Sequence, residues 1–190
     1  DKILLSSMLR LDQFGYYSFA VTIALSLYHF INPVNVAIFP KLTRLSYQNK
    51  IKELRILYHQ GTQLVSVILV PFSAVLIFFS YEIIFLWSRN AHLASIVSPI
   101  ATLLTLGTVI SAFMNLPVTS QVAAGKTRII IYSQIFFLCF VIPGLSFFVN
   151  HFGLKGAAMN WIMINSLQII LFIPLMHRNL LKESVISWYT

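Results

Sequence analysis

Five long apolar stretches decide what this chain can fold into. Each has the roughly 20 residues that a helix needs to cross the hydrocarbon core of a bilayer, whereas strands of a membrane barrel would alternate apolar and polar residues. The sequence therefore predicts an all-α, polytopic transmembrane helical bundle that forms a single region, 1–190. The five predicted spans are residues 14–40, 62–81, 93–116, 129–149 and 156–176.

The composition also points to lipid. The 190 residues are 58% hydrophobic and 9% charged, against about 25% charged residues in ordinary soluble domains. The net charge of +8 comes from basic residues that lie between the apolar stretches rather than in one patch, so we expect no nucleic-acid partner. Cys139 is the only cysteine and the five histidines are scattered, so no disulfide, metal site or cofactor is predicted.

The basic residues predict the orientation of the bundle. If the loops alternate sides, four of the thirteen basic residues lie on one side, namely Lys2, Arg10, Arg89 and Lys155. The positive-inside rule makes the other, more basic side cytoplasmic, and the C-terminus lies on that side as well. The nine predicted cytoplasmic topology determinants are Lys41, Arg44, Lys50, Lys52, Arg55, Lys126, Arg128, Arg178 and Lys182.

Residues 41–60 form a separate element in this interpretation. Ile51, Leu54 and Tyr58 recur at helical spacing, while charged residues occupy positions between them. This pattern predicts an amphipathic helix that lies at the cytoplasmic interface, with its cations near anionic headgroups. A solvated connector is the alternative.

The interiors of the spans contain amides and prolines but no Asp, Glu, Lys or Arg. Charged residues inside a membrane usually mark ion pathways or coupling sites, so their absence argues against ion coupling or catalysis within these helices. Amide side chains in lipid must face another helix or a wet cavity. Interhelical hydrogen bonding is the simpler explanation for each of them, and a substrate path or hinge is the functional one. The candidate substrate-path or hinge residues are Asn32, Pro33, Asn35, Pro40, Asn115, Pro117 and Gln121.

Pro33 and Pro40 lie seven residues apart, just short of two helical turns, and therefore on the same face of a helix. Proline removes a backbone hydrogen bond, which frees the carbonyl groups of His29 and Val36. We predict one long helix that bends near Asn32 and Pro33, with the hinge facing a cavity. The same helix is predicted to end at Pro40 on the cytoplasmic surface.

Four stretches of the chain resemble a known family. They are GYYSFAVTIALSLYHFINPVNVAIFPKLTRL, EIIFLWSRN, LPVTSQVAAGKTRI, and GLKGAAMNWIMIN with the PLMHRNLLKES that follows it. The chain resembles the C-terminal half of a polysaccharide or O-antigen flippase of the multidrug/oligosaccharidyl-lipid/polysaccharide exporter superfamily. The likeness extends over essentially all 190 residues.

This resemblance implies a membrane flippase with twelve or more helices in two related halves, so that a missing N-terminal half would be a partner of this one. An undecaprenyl-pyrophosphate-linked oligosaccharide would enter from the cytoplasmic leaflet of the bacterial inner membrane and leave on the outside by alternating access. Such transport needs no covalent chemistry, so the resemblance implies no enzymatic activity. The cations that bind pyrophosphate are expected mainly from the missing half, because the basic residues of this chain lie in loops and at helix ends.

Other functions remain open from the sequence alone. A multidrug or cation antiporter of the same superfamily would carry acidic residues within its helices, and these spans have none. A glycan polymerase or transferase would need a large extramembrane loop, whereas the longest predicted external loop covers only residues 82–92. A non-transport membrane protein of glycan assembly is a further alternative.

Overall fold

The computed structural model describes residues 5, 6 and 8–180, with side chains as far as residue 176. Within these residues the regular secondary structure is entirely α-helical, which confirms the all-α class. The helices, numbered in chain order, are α1 Leu11–Leu25, α2 Tyr28–Tyr47, α3 Ile51–Phe78, α4 Ser80–Ser88, α5 Ala91–Phe113, α6 Asn115–Ala123 and α7 Arg128–Leu180.

The element α7 consists of two helical arms, 128–152 and 154–180, which join at Gly153. The backbone of Gly153 has φ 58° and ψ −137°, a non-helical conformation that favours glycine. A straight helix of the 53 residues of α7 would be about 80 Å long, against a bilayer core of about 30 Å. The glycine therefore lets the chain turn back.

Hydrogen bonds between the two arms show that they are antiparallel. Asn160 Nδ2 donates to the Val141 carbonyl at 3.3 Å, and Gln168 Nε2 donates to the Ser133 carbonyl at 3.4 Å. Residue numbers thus rise along the second arm as they fall along the first. The arms correspond to the last two predicted spans, which the structure forms as adjacent helices.

Small residues let the two arms approach closely beside the turn. A side chain at position 156, which is a glycine, would collide with the Phe148 carbonyl of the opposite arm. Ala157 and Ala158 are buried in the same contact region. The sequence GLKGAA predicts close helix packing of this kind, and the structure confirms it.

Three helical segments are long and apolar enough to cross a membrane, namely α3, α5 together with α6, and α7; the bent pair of α1 and α2 would add a fourth. The exposed side of α3 is apolar, with Leu64, Val67 and Val75 open to the surroundings. Such a surface suits contact with lipid and not with water. The predicted number of five spans depends on counting the arms of α7 separately.

The first predicted span contains a bend between α1 and α2, ahead of Asn32 and Pro33. The two helices meet at 41°, and the amide of His29 bonds the Ser26 carbonyl there in a tighter turn. The Ser26 hydroxyl also donates to the Ile23 carbonyl at 2.6 Å, in competition with the helical backbone. A serine, and not a proline, therefore lies at the bend.

Both prolines lie inside α2, which continues to Tyr47. The helix is not interrupted at Asn32 or Pro33, and a bend there stays a prediction, whereas the prediction that Pro40 ends the helix is wrong. The two proline rings are exposed on the same side of the helix. The exposed rings of Pro33 and Pro40 do not push against a neighbouring helix. The helix α2 therefore stays continuous, although each proline removes one backbone hydrogen bond.

Residues 41–60 do not form a helix of their own. The first part ends α2, a short turn includes Asn49 with φ 54°, and the remainder begins α3. Asparagine adopts this left-handed conformation more readily than most residues, which permits the turn. Leu54 and Tyr58 are buried in a cluster with residues of α2 and α6, so the segment is packed into the bundle.

The helix α5 lies at the centre of the bundle, in contact with α1, α3, α4 and α7. One apolar cluster surrounds its first half and includes Tyr17 and Val149. Another lies beyond its far end, where α2, α3 and α6 meet, and includes Leu54 and Leu116. The bundle therefore has two distinct ends, one at each of these clusters.

Basic residues concentrate at the end beyond α5, which we term the basic end. It contains the turn between α2 and α3 and the connection between α6 and α7. Arg10, Arg89 and Lys155 lie at the opposite end, next to members of the first cluster. Lys182 and the side chain of Arg178 lie outside the described residues. The predicted topology determinants found at the basic end are Lys41, Arg44, Lys50, Lys52, Arg55, Lys126 and Arg128.

Candidate functional site

A polar cavity that is open to the surroundings lies where α2, α5 and α6 face both arms of α7. Its volume is about 200 Å³. Six of the eight residues that line it have hydroxyl or amide side chains, and the other two are the apolar Met114 and Val118. The polar residues that line it are Tyr28, Ser111, Asn115, Ser133, Gln134 and Gln168.

Hydrogen bonds hold several of these side chains in place. Tyr28 OH donates to Ser111 Oγ at 3.0 Å, which joins α2 to α5. The Asn115 amide donates to a backbone carbonyl of α5 at 3.2 Å, and the amide of Gln168 joins the two arms of α7. Hydroxyl and amide oxygens carry further lone pairs beyond these bonds, so they can still accept hydrogen bonds from a ligand or from water.

The cavity is polar without being charged. Among the described residues that line it, none is Asp, Glu, Lys or Arg. Hydroxyl and amide groups both donate and accept hydrogen bonds, so they suit a neutral ligand rich in hydroxyl groups. Since such groups are costly to expose to hydrocarbon, their convergence indicates a wet or ligand-filled space.

Asn115 is the predicted site residue that the structure places in the cavity. Pro117 and Gln121 lie further along α6 and are buried. Gln121 Nε2 donates to the Met176 carbonyl at 2.8 Å, so it ties α6 to the second arm, while its buried Oε1 has no hydrogen-bond partner. Pro117 lies in the first turn of its helix, where a backbone N–H would have no intrahelical partner in any case.

The other predicted site residues lie away from the cavity, on α2. Asn32, Pro33 and Pro40 are exposed, and Asn35 is half-buried. The Asn35 Oδ1 atom is itself buried without a hydrogen-bond partner. The structure therefore does not bring these four residues together with the cavity, and their role as a substrate path or hinge stays a prediction.

Sequence reasoning does not single out Tyr28, Ser111, Ser133 or Gln134, because each stands in a long apolar stretch without a recognisable motif around it. Their common position emerges only when distant helices pack, since Tyr28 and Ser111 are 83 residues apart. One local signal exists. Ser111 and Asn115 are one helical turn apart, so they share a face near the end of the third predicted span.

The fold and the cavity define an all-α membrane protein with an open polar cavity between its helices. A family model described as "Polysaccharide biosynthesis protein" matches residues 1–97, which is half of the chain. The chain therefore belongs to this polysaccharide biosynthesis family, in agreement with its resemblance to polysaccharide flippases. Comparison with curated proteins and with solved structures gives no significant match.

Proposed function

We propose that this protein is a flippase that moves a lipid-linked oligosaccharide across the bacterial inner membrane by alternating access. Its family concerns polysaccharide biosynthesis, and its long apolar helices suit a step that takes place within the bilayer. Apart from Tyr28, the described lining of the cavity offers hydrogen-bond partners rather than titratable groups. This lining favours binding and transport over covalent chemistry.

The polar cavity is the observation that carries the proposal. A glycan is rich in hydroxyl groups, and the side chains of Tyr28, Asn115 and Gln168 can exchange hydrogen bonds with them as water would. The surrounding hydrocarbon offers no such partners. The proposed substrate is an undecaprenyl-pyrophosphate-linked oligosaccharide. Cations for its pyrophosphate would come from outside this cavity, in the N-terminal half that the resemblance implies.

We further propose that the chain crosses the membrane five times, with its basic end in the cytoplasm. The bent pair of α1 and α2 counts as one span, and each arm of α7 counts as a span of its own. Together with α3 and with α5 and α6, these make five crossings. The two basic connections, between α2 and α3 and between α6 and α7, lie at the same end of the bundle. The positive-inside rule assigns that end, and with it the C-terminal side of α7, to the cytoplasm.

Cysteine accessibility tests this topology in spheroplasts. In a Cys139→Ser background, Lys50→Cys and Lys126→Cys should react with a membrane-impermeant thiol reagent only after permeabilisation. Arg89→Cys and Lys155→Cys should react without it. Lys155 decides the number of spans, because it lies beside the turn of α7. Reaction of Lys155→Cys only after permeabilisation would mean that the two arms do not cross as separate spans.

Disruption of the gene in its host tests the transport function. We expect surface polysaccharide to fall and the lipid-linked repeat unit to accumulate on the cytoplasmic face, where extraction and mass spectrometry can quantify it. Re-expression of the wild-type protein should reverse both effects. Unchanged surface polysaccharide together with increased drug sensitivity would contradict the proposal and favour a multidrug antiporter.

Substitutions within the cavity connect that function to the site. Gln168→Ala and Asn115→Ala should fail to restore export fully, because each removes an amide that lines the polar cavity. Asn150→Ala is the matched control, since Asn150 is an exposed amide next to the turn of α7. Equal export by all three variants would show that the cavity does not contact the transported molecule.

A further inference from the structure

A second cavity lies at the basic end of the bundle, between the last turns of α2 and the first turns of α3. Its volume is about 190 Å³. Lys41, Glu53 and Gln60 are exposed residues of its wall, so the cavity is open to the surroundings. We term it the basic-end cavity. The residues that line it are Lys41 and Leu45 of α2, and Glu53, Ile56, Leu57 and Gln60 of α3.

The basic-end cavity combines one positive charge with one negative charge. Lys41 contributes the cation from α2, and Glu53 contributes the anion from α3. Of the acidic residues that the structure describes, only Glu53 lies at this end of the bundle. Its Oε1 atom is 3.2 Å from Lys50 Nζ, but both side chains are about half exposed, and such a pair contributes only about 0–1 kcal/mol. The carboxylate therefore keeps lone pairs for a further donor.

An exposed apolar stripe on α3 begins directly beside this cavity. Three residues of the stripe follow Gln60 at spacings of 4, 7 and 11 residues, so they share one face of the helix with it. They are Leu64, Val67 and Pro71, and all three are exposed. Because α3 is long and apolar enough to cross a membrane, the stripe continues the cavity into the hydrocarbon.

A pair of stacked phenylalanines bridges α2 and α3 at a fixed depth below the cavity. Phe30 of α2 and Phe72 of α3 lie 4.2 Å apart between ring centroids. Phe72 follows Gln60 by 12 residues, which is about 18 Å along a helix. One leaflet takes about half of the roughly 30 Å hydrocarbon core. The distance from the cavity to the stacked rings therefore matches the depth of one leaflet.

Opposite charges above an apolar stripe of this length fit a zwitterionic phospholipid. We propose that the basic-end cavity binds phosphatidylethanolamine, with its phosphate at Lys41 and its ammonium group at Glu53. The Gln60 amide donates a hydrogen bond to a phosphate or ester oxygen, and an acyl chain lies along Leu64 and Val67. The proposal goes beyond the flippase function. It uses the proposed topology only to assign the lipid to the cytoplasmic leaflet.

The acidic residue selects phosphatidylethanolamine among phospholipids. The ammonium group of this lipid carries three N–H donors, which a carboxylate accepts in charge-assisted hydrogen bonds. Phosphatidylcholine has three methyl groups at this position and donates none. Phosphatidylglycerol offers Glu53 no cation and brings an anionic phosphate close to its carboxylate. A surface that only attracts anionic lipid would carry cations alone, as juxtamembrane polybasic segments do.

Lipid binding to the whole protein, expressed from its own gene and purified in detergent, tests this proposal. Native mass spectrometry counts the bound lipids and gives an apparent Kd for each of them. The probes are phosphatidylethanolamine, its N-methyl and N,N-dimethyl derivatives, phosphatidylcholine and phosphatidylglycerol, all with the same two oleoyl chains. We expect the affinity to fall stepwise as methyl groups replace the N–H donors. Phosphatidylglycerol should also bind more weakly than phosphatidylethanolamine.

Charge substitutions assign this preference to the cavity. Glu53→Gln should weaken the binding of phosphatidylethanolamine about tenfold, which corresponds to about 1.4 kcal/mol, and leave phosphatidylcholine unchanged. Glu82→Gln is the matched control and should keep the preference, because Glu82 is an exposed acidic residue at the opposite end of the bundle. Lys41→Gln should weaken both lipids, since both carry the phosphate. Lys52→Gln removes a cation that does not line the cavity and should weaken neither.

Three results would overturn the proposal. They are equal affinity of the wild-type protein for phosphatidylethanolamine and phosphatidylcholine, tighter binding of phosphatidylglycerol, and a preference that a folded Glu53→Gln retains. The first two are measured on the wild type, so they stay decisive if the variant misfolds. A failure of the flippase function looks different, because gene disruption would then leave export intact without changing lipid binding by the purified protein.

Discussion

Tyr28 OH lies 3.0 Å from Ser111 Oγ, and this hydrogen bond joins the first turn of α2 to α5. The bond lies directly after the 41° bend between α1 and α2. Both residues also line the polar cavity. This hydrogen bond therefore helps to hold α2 in its orientation after the bend. It also places two hydroxyl groups at the candidate site, and experiments can separate these two roles.

Tyr28→Phe should impair polysaccharide export far more than it lowers stability. The substitution removes only the hydroxyl group, and hydrogen bonds between membrane helices contribute on average about 0.6 kcal/mol. We expect a small fall in the thermal unfolding midpoint in detergent and a clear fall in export from cells. Tyr132→Phe, on the exposed side of the first arm of α7, should change neither. A proportional fall in both measurements would show that the bond is structural only.

Gly153→Ala should destabilise the hairpin of α7 without a steric clash. A residue with a Cβ atom is strained at φ 58° and ψ −137°, at a cost of about 1–3 kcal/mol. Nothing lies within 4 Å of the position that this Cβ would take, so the cost is conformational. The thermal unfolding midpoint of the purified protein in detergent should fall.

Gly15→Ala is the matched control for that substitution. Gly15 also has nothing within 4 Å of its Cβ position, but it lies inside α1 with no positive φ. Alanine favours a helix interior over glycine by about 0.5–1 kcal/mol, so this variant should be slightly more stable. If both substitutions shifted the midpoint in the same direction, the backbone at Gly153 would not be the cause.

The helices could be predicted from the sequence because hydrocarbon leaves the backbone few alternatives. An apolar stretch long enough to cross a bilayer must satisfy its own N–H and C=O groups, and a helix does so. The position of the bend could not be predicted in the same way. Proline at position 33 removes a hydrogen bond without interrupting α2, whereas Ser26 lies at the bend between α1 and α2 although serine is an unremarkable residue in such a stretch.

The candidate site could be predicted only in part, because its walls come from distant parts of the chain. Asn115 was identifiable as an amide that lipid would not tolerate alone. Its neighbours across the cavity, Ser133 and Gln168, depend on how the arms of α7 pair. No local pattern specifies that pairing, since the apolar faces that direct it are built from interchangeable residues such as Ile, Leu and Phe.

Gly107→Ala should displace the Trp161 ring. A Cβ atom at position 107 would overlap the ring, and such overpacking costs about 1–3 kcal/mol. With Trp87→Phe and Trp188→Phe as background, the emission maximum of Trp161 should shift. Adding Trp161→Phe should recover part of the lost stability, because the smaller ring leaves room for the new methyl group. An unchanged emission maximum would mean that the ring does not rest on Gly107.

Ser26→Ala should reduce export more than Pro33→Ala does. The serine hydroxyl bonds the Ile23 carbonyl at 2.6 Å at the bend between α1 and α2, so alanine should favour a straighter helix there. Pro33→Ala returns an N–H group to a stretch of α2 that is already helical, and both membrane insertion and most export should persist. Export from cells and the amount of protein in the membrane fraction are the two measurements. The reverse order, with greater loss for Pro33→Ala at normal insertion, would place the moving hinge at the proline after all.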